Sequence, residues 1–209
     1  MAVIYPADNP WDVPTLRPEF APRTVVAPIV AWGTVAATFH NPGTWHCYVY
    51  DRRFQSLLEH PERLFVTGCC AAVEPNVSTD DNEPRWSVLA GIARKRTVAR
   101  AWQDGGLGVF ADVNVAPDHR DLALLGVPRS FGAYATRGKA ARPGDLIDDH
   151  AFVRAHYDGL GDPLLLVVGG GATIREVCRS LPGAVFVSDG VRERVAVRTK
   201  TESGTHHGT

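Results

Sequence analysis

Short, unbroken apolar runs separated by polar segments with glycine or proline organise this chain. TVVAPIVAW (24–32), WHCYVYD (45–51), CCAAV (69–73), GVFADVNV (108–115), RSFGAYAT (129–136), PLLLVV (163–168) and GAVFVSD (183–189) read as seven strands. RVAVRTK (194–200) reads as a last edge strand. Between them RRFQSLLEH (52–60), PDHRDLALL (117–125), DDHAFVRAHY (148–157) and IREVCRS (174–180) have helical character, the third opened by Asp148 or Asp149. A longer helix runs from Pro84 in its first turn to about Gln103, stopped by Gly105 and Gly106. Several strand segments are apolar throughout rather than alternating, the mark of a parallel sheet covered on both faces. The expectation is a single α/β domain with a mostly parallel sheet, an abbreviated TIM-barrel-like fold. An open doubly wound sheet is the alternative, and periodicity does not separate the two.

Prolines at 6, 10, 14, 18 and 22 forbid a helix over residues 1–23 and favour an extended arm lying on the surface. The α/β domain then covers 24–200, and 201–209 reads as a disordered tail. The 209 residues, 44% hydrophobic and 22% charged, suffice for one well-buried core. A net charge of −1 gives no global field towards nucleic acid or an anionic membrane. No apolar run approaches the ~20 residues a bilayer requires, and the first residues do not form a secretory signal. Cys47, Cys69, Cys70 and Cys178 have neither disulfide-framework nor zinc spacing and read as buried thiols, with the cytoplasm as the compartment.

In a parallel sheet, loops and helix N-termini converge at the carboxyl ends of the strands, so that rim is where a site is expected. Reading off the residues there gives Asp51, Asp112 and Asn114 as candidate catalytic groups, and Asn76, Ser78 and Arg137 as candidate ligand contacts. The acidic members also suit a divalent cation. The sharpest local signal is LLLVVGGGATIREVC, a buried strand running through Gly169, Gly170 and Gly171 into a helix. Its free backbone N–H groups suit a phosphate, although neither a Walker loop nor a dinucleotide fingerprint is present. The plainer reading is a tight turn closed by a capping box of Thr173 and Glu176. On the long helix Leu89, Ala93, Arg96 and Arg100 step by four, three and four. Arg94, Arg96 and Arg100, with Trp86 and Trp102, form the one basic, aromatic-flanked candidate for nucleic acid; a solvated helix paired with the acidic loop 80–83 is the alternative. The histidines form no zinc signature.

The aromatic strand ending at Asp51, then Phe54, Pro61 and Glu62, resembles the family called domain of unknown function 4417, found in phages, plasmids and bacterial genomes. The segment Glu74-Pro75-Asn76-Val77-Ser78 is similar to that family's Ser-Pro-Asp-Phe-Ser motif, with Asn76 at the acidic position. Pro84, Arg94 and Arg96, Trp102-Gln103, the GVFADVNV strand, GVPRSFGAYATRG and LLLVVGGG also fit, so the resemblance covers roughly residues 24–190. It implies a mobile-element setting, in replication or host interference, and supplies no activity. The leading expectation is a protein that binds a small phosphorylated ligand, nucleotide or nucleic acid at its strand-end rim, with a hydrolase or phosphodiesterase as its enzymatic form. The alternative is a non-enzymatic DNA-binding replication accessory or host-interaction protein.

Overall fold

A computed structural model describes residues 4–35 and 39–189. The segment 194–200 and the tail 201–209 lie outside the described residues. Seven strands pair in chain order, all parallel: β1 (Ile29–Ala31), β2 (Thr44–His46), β3 (Ala71–Val73), β4 (Gly108–Asp112), β5 (Ala133–Arg137), β6 (Leu164–Val168) and β7 (Ala184–Val187). Representative pairs are Val30 with Trp45, Ala72 with Val109 and Leu166 with Val185. The order never reverses, so the sheet has no topological switch point and the doubly wound alternative falls away. The sheet curls into a half-barrel, its strands alternating with helices. The expected barrel-like α/β fold with a parallel sheet is thereby met.

The observed strands are shorter than the apolar runs suggest. WHCYVYD supplies only its first two residues to β2, because the backbone turns at Cys47, where Val49 N–H bonds back to the Cys47 carbonyl at 2.8 Å. The helices are α1 (Gln55–Glu59), α2 (Arg85–Asp104), α3 (Gly144–His156) and α4 (Gly171–Arg179), with 3₁₀ turns at Pro18–Phe20, Asp51–Arg53, Pro61–Thr67 and Pro117–Leu122. Pro84 caps α2 from outside, and Gly105 ends it. The α3 helix opens at Gly144, so Asp148 and Asp149 lie in its second turn instead of at its start. Residues 117–125 form a 3₁₀ turn rather than an α-helix.

The core is aromatic as well as aliphatic. Trp32 and Trp45 meet edge to face at 5.2 Å, and the indole N–H groups of Trp45 and Trp102 reach Thr67 Oγ1 (2.9 Å) and the Pro61 carbonyl (3.0 Å). The Trp45 and Trp102 indoles are thus buried with their donors paired. The proline-rich arm is not a mere surface strap. Val13 and Leu16 are fully buried, Leu16 N–H bonds the Gly126 carbonyl at 2.8 Å, and Gln103 clasps the Arg17 backbone through both ends of its amide, at 2.8 and 3.1 Å. Prolines cannot donate to a ladder, so the arm is held instead by inserted side chains and by a helix-borne amide. Cys47, Cys69 and Cys178 are buried free thiols, whereas Cys70 is exposed. No described helix is long and apolar enough to cross a membrane.

Candidate functional site

The carboxyl ends of β2, β3 and β4 are tied together by buried charge. Asp112, the last residue of β4, is fully buried and accepts from Tyr48 Oη and Lys95 Nζ, both at 2.9 Å. Lys95 also donates to the Asp112 carbonyl at 2.8 Å. Beside it, Glu74 receives the Asp112 N–H at 2.9 Å and pairs with Arg96, which in turn donates to the Leu125 and Ala123 carbonyls at 2.9 and 2.7 Å. Burial holds the Asp112 carboxyl above the ordinary aspartate range, outweighing the attraction of Lys95. With both oxygens occupied, Asp112 anchors the strand end, and its expected catalytic role loses its geometry.

The other candidates divide. Asp51 accepts from Ser78 through N–H (3.0 Å) and Oγ (2.7 Å), so it latches the loop after β3. Asn114 Nδ2 donates to Asn76 Oδ1 at 2.8 Å, joining the loops after β3 and β4. Among the described residues no group of three or more histidine, cysteine, aspartate or glutamate side chains is placed to hold a metal ion. The proposed nucleic-acid patch dissolves as well. Arg94 is exposed, but Arg96 and Arg100 are buried along the inner side of α2, Trp102 is fully buried, and Trp86 is exposed alone. Arginines that continue an apolar stripe face inward.

Arg137 behaves differently. Thr136, its predecessor in β5, donates to Asp149 of α3 at 2.6 Å, so alternation along the strand sends Arg137 to the opposite, inner face. Its side chain makes no hydrogen bond or ion pair among the described residues. It borders two adjoining cavities. The larger, about 520 Å3, is also lined by Asn76, Ser78, Asn114 and the cations Lys139 and Arg142. The smaller, about 120 Å3, is lined by Tyr48, Gly169, Gly170 and Asp189.

Gly169, Gly170 and Gly171 all have positive φ (+82°, +85° and +70°), which non-glycine residues rarely adopt. A Cβ on Gly170 would lie 2.4 Å from Ile174 Cγ1, and one on Gly138 would lie 2.3 Å from the Gly169 carbonyl oxygen. The two strand ends therefore meet backbone to backbone. Gly170 is the N-cap of α4, and no side chain caps that helix; the Thr173–Glu176 capping box is not formed, Glu176 pairing with Arg179 instead. Gly171 and Thr173 line neither cavity. His46, buried on β2, feels both desolvation and the Arg137 charge, which together push its imidazole down to about 4. The neutral ring accepts the Tyr48 N–H at Nδ1, at 3.3 Å.

Sequence reading missed Tyr48, Lys95, Lys139 and Arg142. The last two had a visible signal, because RGKAAR places three cations within six residues directly after β5.

The chain is 28% identical over 134 residues to the Gene 1 protein of Mycobacterium phage D29, covering 61% of this chain and 48% of that protein. It is 29% identical over 135 residues to the Gene 1 protein of Mycobacterium phage L5, covering 61% and 57%. The chain thus spans about half the length of the curated relatives it matches. No solved structure gives a significant match. The family's sequence model matches residues 5–156, so the buried arm belongs to the shared region, while β6 and the glycine turn fall outside it. On that match the chain belongs to the family described as Domain of unknown function (DUF4417).

Proposed function

We propose that this protein binds a phosphate-bearing ligand at the strand carboxyl-end mouth, with the phosphate in the smaller cavity between Arg137 and the Gly169–Gly170 turn. The observation that carries the reading is Arg137, a guanidinium without an ion-pair partner among the described residues, held at the wall of both cavities. The glycine turn at the start of α4 adds the Gly170 backbone N–H and the positive end of a helix dipole, the Gly169 N–H being taken by the Val187 carbonyl at 2.9 Å. A volume of about 120 Å3 equals roughly four waters at about 30 Å3 each, which suits a phosphate group. Tyr48, whose hydroxyl is fixed by Asp112, and the Asp189 carboxylate also line this cavity.

The reading is one of binding. Asp51 and Asp112 are committed to Ser78, Tyr48 and Lys95, which leaves a hydrolase or phosphodiesterase form without a free carboxylate among the first candidates. The DNA-binding alternative loses the Arg96 and Arg100 side chains on which it relied.

Thermal denaturation of the full chain with inorganic phosphate and pyrophosphate tests the proposal. Saturation at a hundredfold over Kd adds ~2.7 kcal/mol to the folded state, a rise of several degrees. Arg137→Ala is expected to keep the unliganded midpoint and to lose that rise, which separates site binding from general salt stabilisation. Equal rises in both proteins would refute it.

A further inference from the structure

The larger cavity is polarised. Arg137, Lys139 and Arg142 stand on its β5 side, with Lys139 Nζ and Arg142 Nε 3.4 and 3.3 Å from Asp145 Oδ2. Across it, on the loop after β3, lie Asp80 and Asp81, neither in an ion pair among the described residues. Between these walls sit Asn76 and Asn114. Asn76 is only 5% exposed, and its Nδ2 has no partner among the described residues although it borders the cavity. That amide nitrogen reaches the solvent of the cavity and stays open to a ligand acceptor. After the Asn114–Asn76 bond, Asn114 keeps its carbonyl oxygen and one N–H for a ligand.

A ligand matching this wall has an anionic end, for Arg137, and a neutral end that alternates donors and acceptors, for amides and carboxylates. Hydroxyl groups do both, each donating to a carboxylate or amide oxygen while accepting from an amide N–H. A nucleobase would call for a flat apolar or aromatic face, and no aromatic side chain lines the larger cavity. The lining is built from hydroxyls, amides and charges, with Val115, Ala116 and Pro117 as its apolar members. The smaller cavity has room for the phosphate alone, so the remainder must occupy the larger one.

We infer that the compound held at this mouth is a phosphorylated sugar or comparable polyol, its hydroxyls on Asn76, Asn114 and the Asp80–Asp81 loop. The inference rests on the phosphate-binding reading given above. The test is isothermal titration of the full chain with inorganic phosphate, ribose 5-phosphate and AMP. Ribose 5-phosphate is expected to bind about tenfold or more tighter than phosphate, a difference of ~1.4 kcal/mol. AMP is expected within about threefold of ribose 5-phosphate, since no ring partner awaits the base. Asn114→Ala brings ribose 5-phosphate down towards phosphate while phosphate itself is unmoved; Asp80→Ala, on the exposed loop, gives the same trend if the first variant folds poorly. Phosphate binding with no gain from the sugar, or AMP binding tenfold tighter than the sugar phosphate, overturns the inference and leaves the phosphate site standing. If none of the three binds, both readings fail.

Discussion

Lys95, Arg96 and Arg137 are three cations near the same strand ends, and they have opposite fates. Lys95 and Arg96 leave α2 and are sealed against Asp112 and Glu74, with backbone carbonyls taking their remaining donors. Arg137 leaves the last position of β5 and forms no ion pair among the described residues, although the Asp189 carboxylate shares its smaller cavity. The first pair is architecture: desolvated charges persist only when fully partnered, and here the partners tie β3 and β4 to their covering helix. The third is a solvent-exposed guanidinium on a concave wall, unpaired among the described residues and open to an anionic ligand.

Breaking the sealed side is expected to have the largest effect. Arg96→Met leaves Glu74 charged and unpaired in the core and should cost about 3–5 kcal/mol in urea unfolding. A loss below ~1 kcal/mol would place this pair with solvent-exposed ones and erase the contrast.

Next is acid. The His46 pKa is lowered from 6.5 to about 4 in the fold, so between those values the unfolded chain binds more protons than the folded one. The stability His46 contributes is therefore complete above pH 6.5 and is lost as pH falls to about 4, some 2.5 units or roughly 3 kcal/mol. Asp112 and Asp149 carry raised pKa values and run the other way, contributing most at low pH. The wild type therefore has to be compared with His46→Gln. The stability difference between them should shift against the wild type on acidification, and a pH-independent difference would mean that His46 is not held neutral. Because the Arg137 charge helps depress His46, Arg137→Ala should also move the wild-type midpoint of this loss upward.

The smallest effects belong to the open side. Arg137→Ala and Arg94→Ala should each change stability by no more than ~0.5 kcal/mol, since both are exposed and neither forms a hydrogen bond or ion pair among the described residues. A loss above 2 kcal/mol from Arg137→Ala, on the order of a buried hydrogen-bonded charge, would show it to be structural and remove the basis of the site.

Much of this was legible in the sequence. Unbroken apolar runs such as LLLVV gave the parallel sheet, and the residues that follow them gave Asn76, Ser78, Asn114, Arg137 and Gly169–Gly170, all of which border the paired cavities. Strand order was not legible, because periodicity reports burial and says nothing of which neighbour pairs. The fate of each charge was hidden for a related reason. That Arg96 continues an apolar stripe means it points inward, yet only the fold supplies Glu74 from another element, 22 residues away, as the partner that makes burial tolerable. Lys95 was harder still, since it neighbours the stripe and its partner Asp112 is a strand-end residue that reads as catalytic. The buried arm escaped notice because Val13 and Leu16 are isolated apolar residues among prolines, with no period to reveal them.

The central claim is that the mouth shared by Arg137 and the Gly169–Gly170 turn receives phosphate. Amide chemical-shift mapping of the full chain during titration with inorganic phosphate tests it most directly. The account predicts saturable shifts concentrated at Arg137, Gly138, Gly169 and Gly170, absent in Arg137→Ala. Saturable shifts that spare these four amides, or none at all, would contradict it.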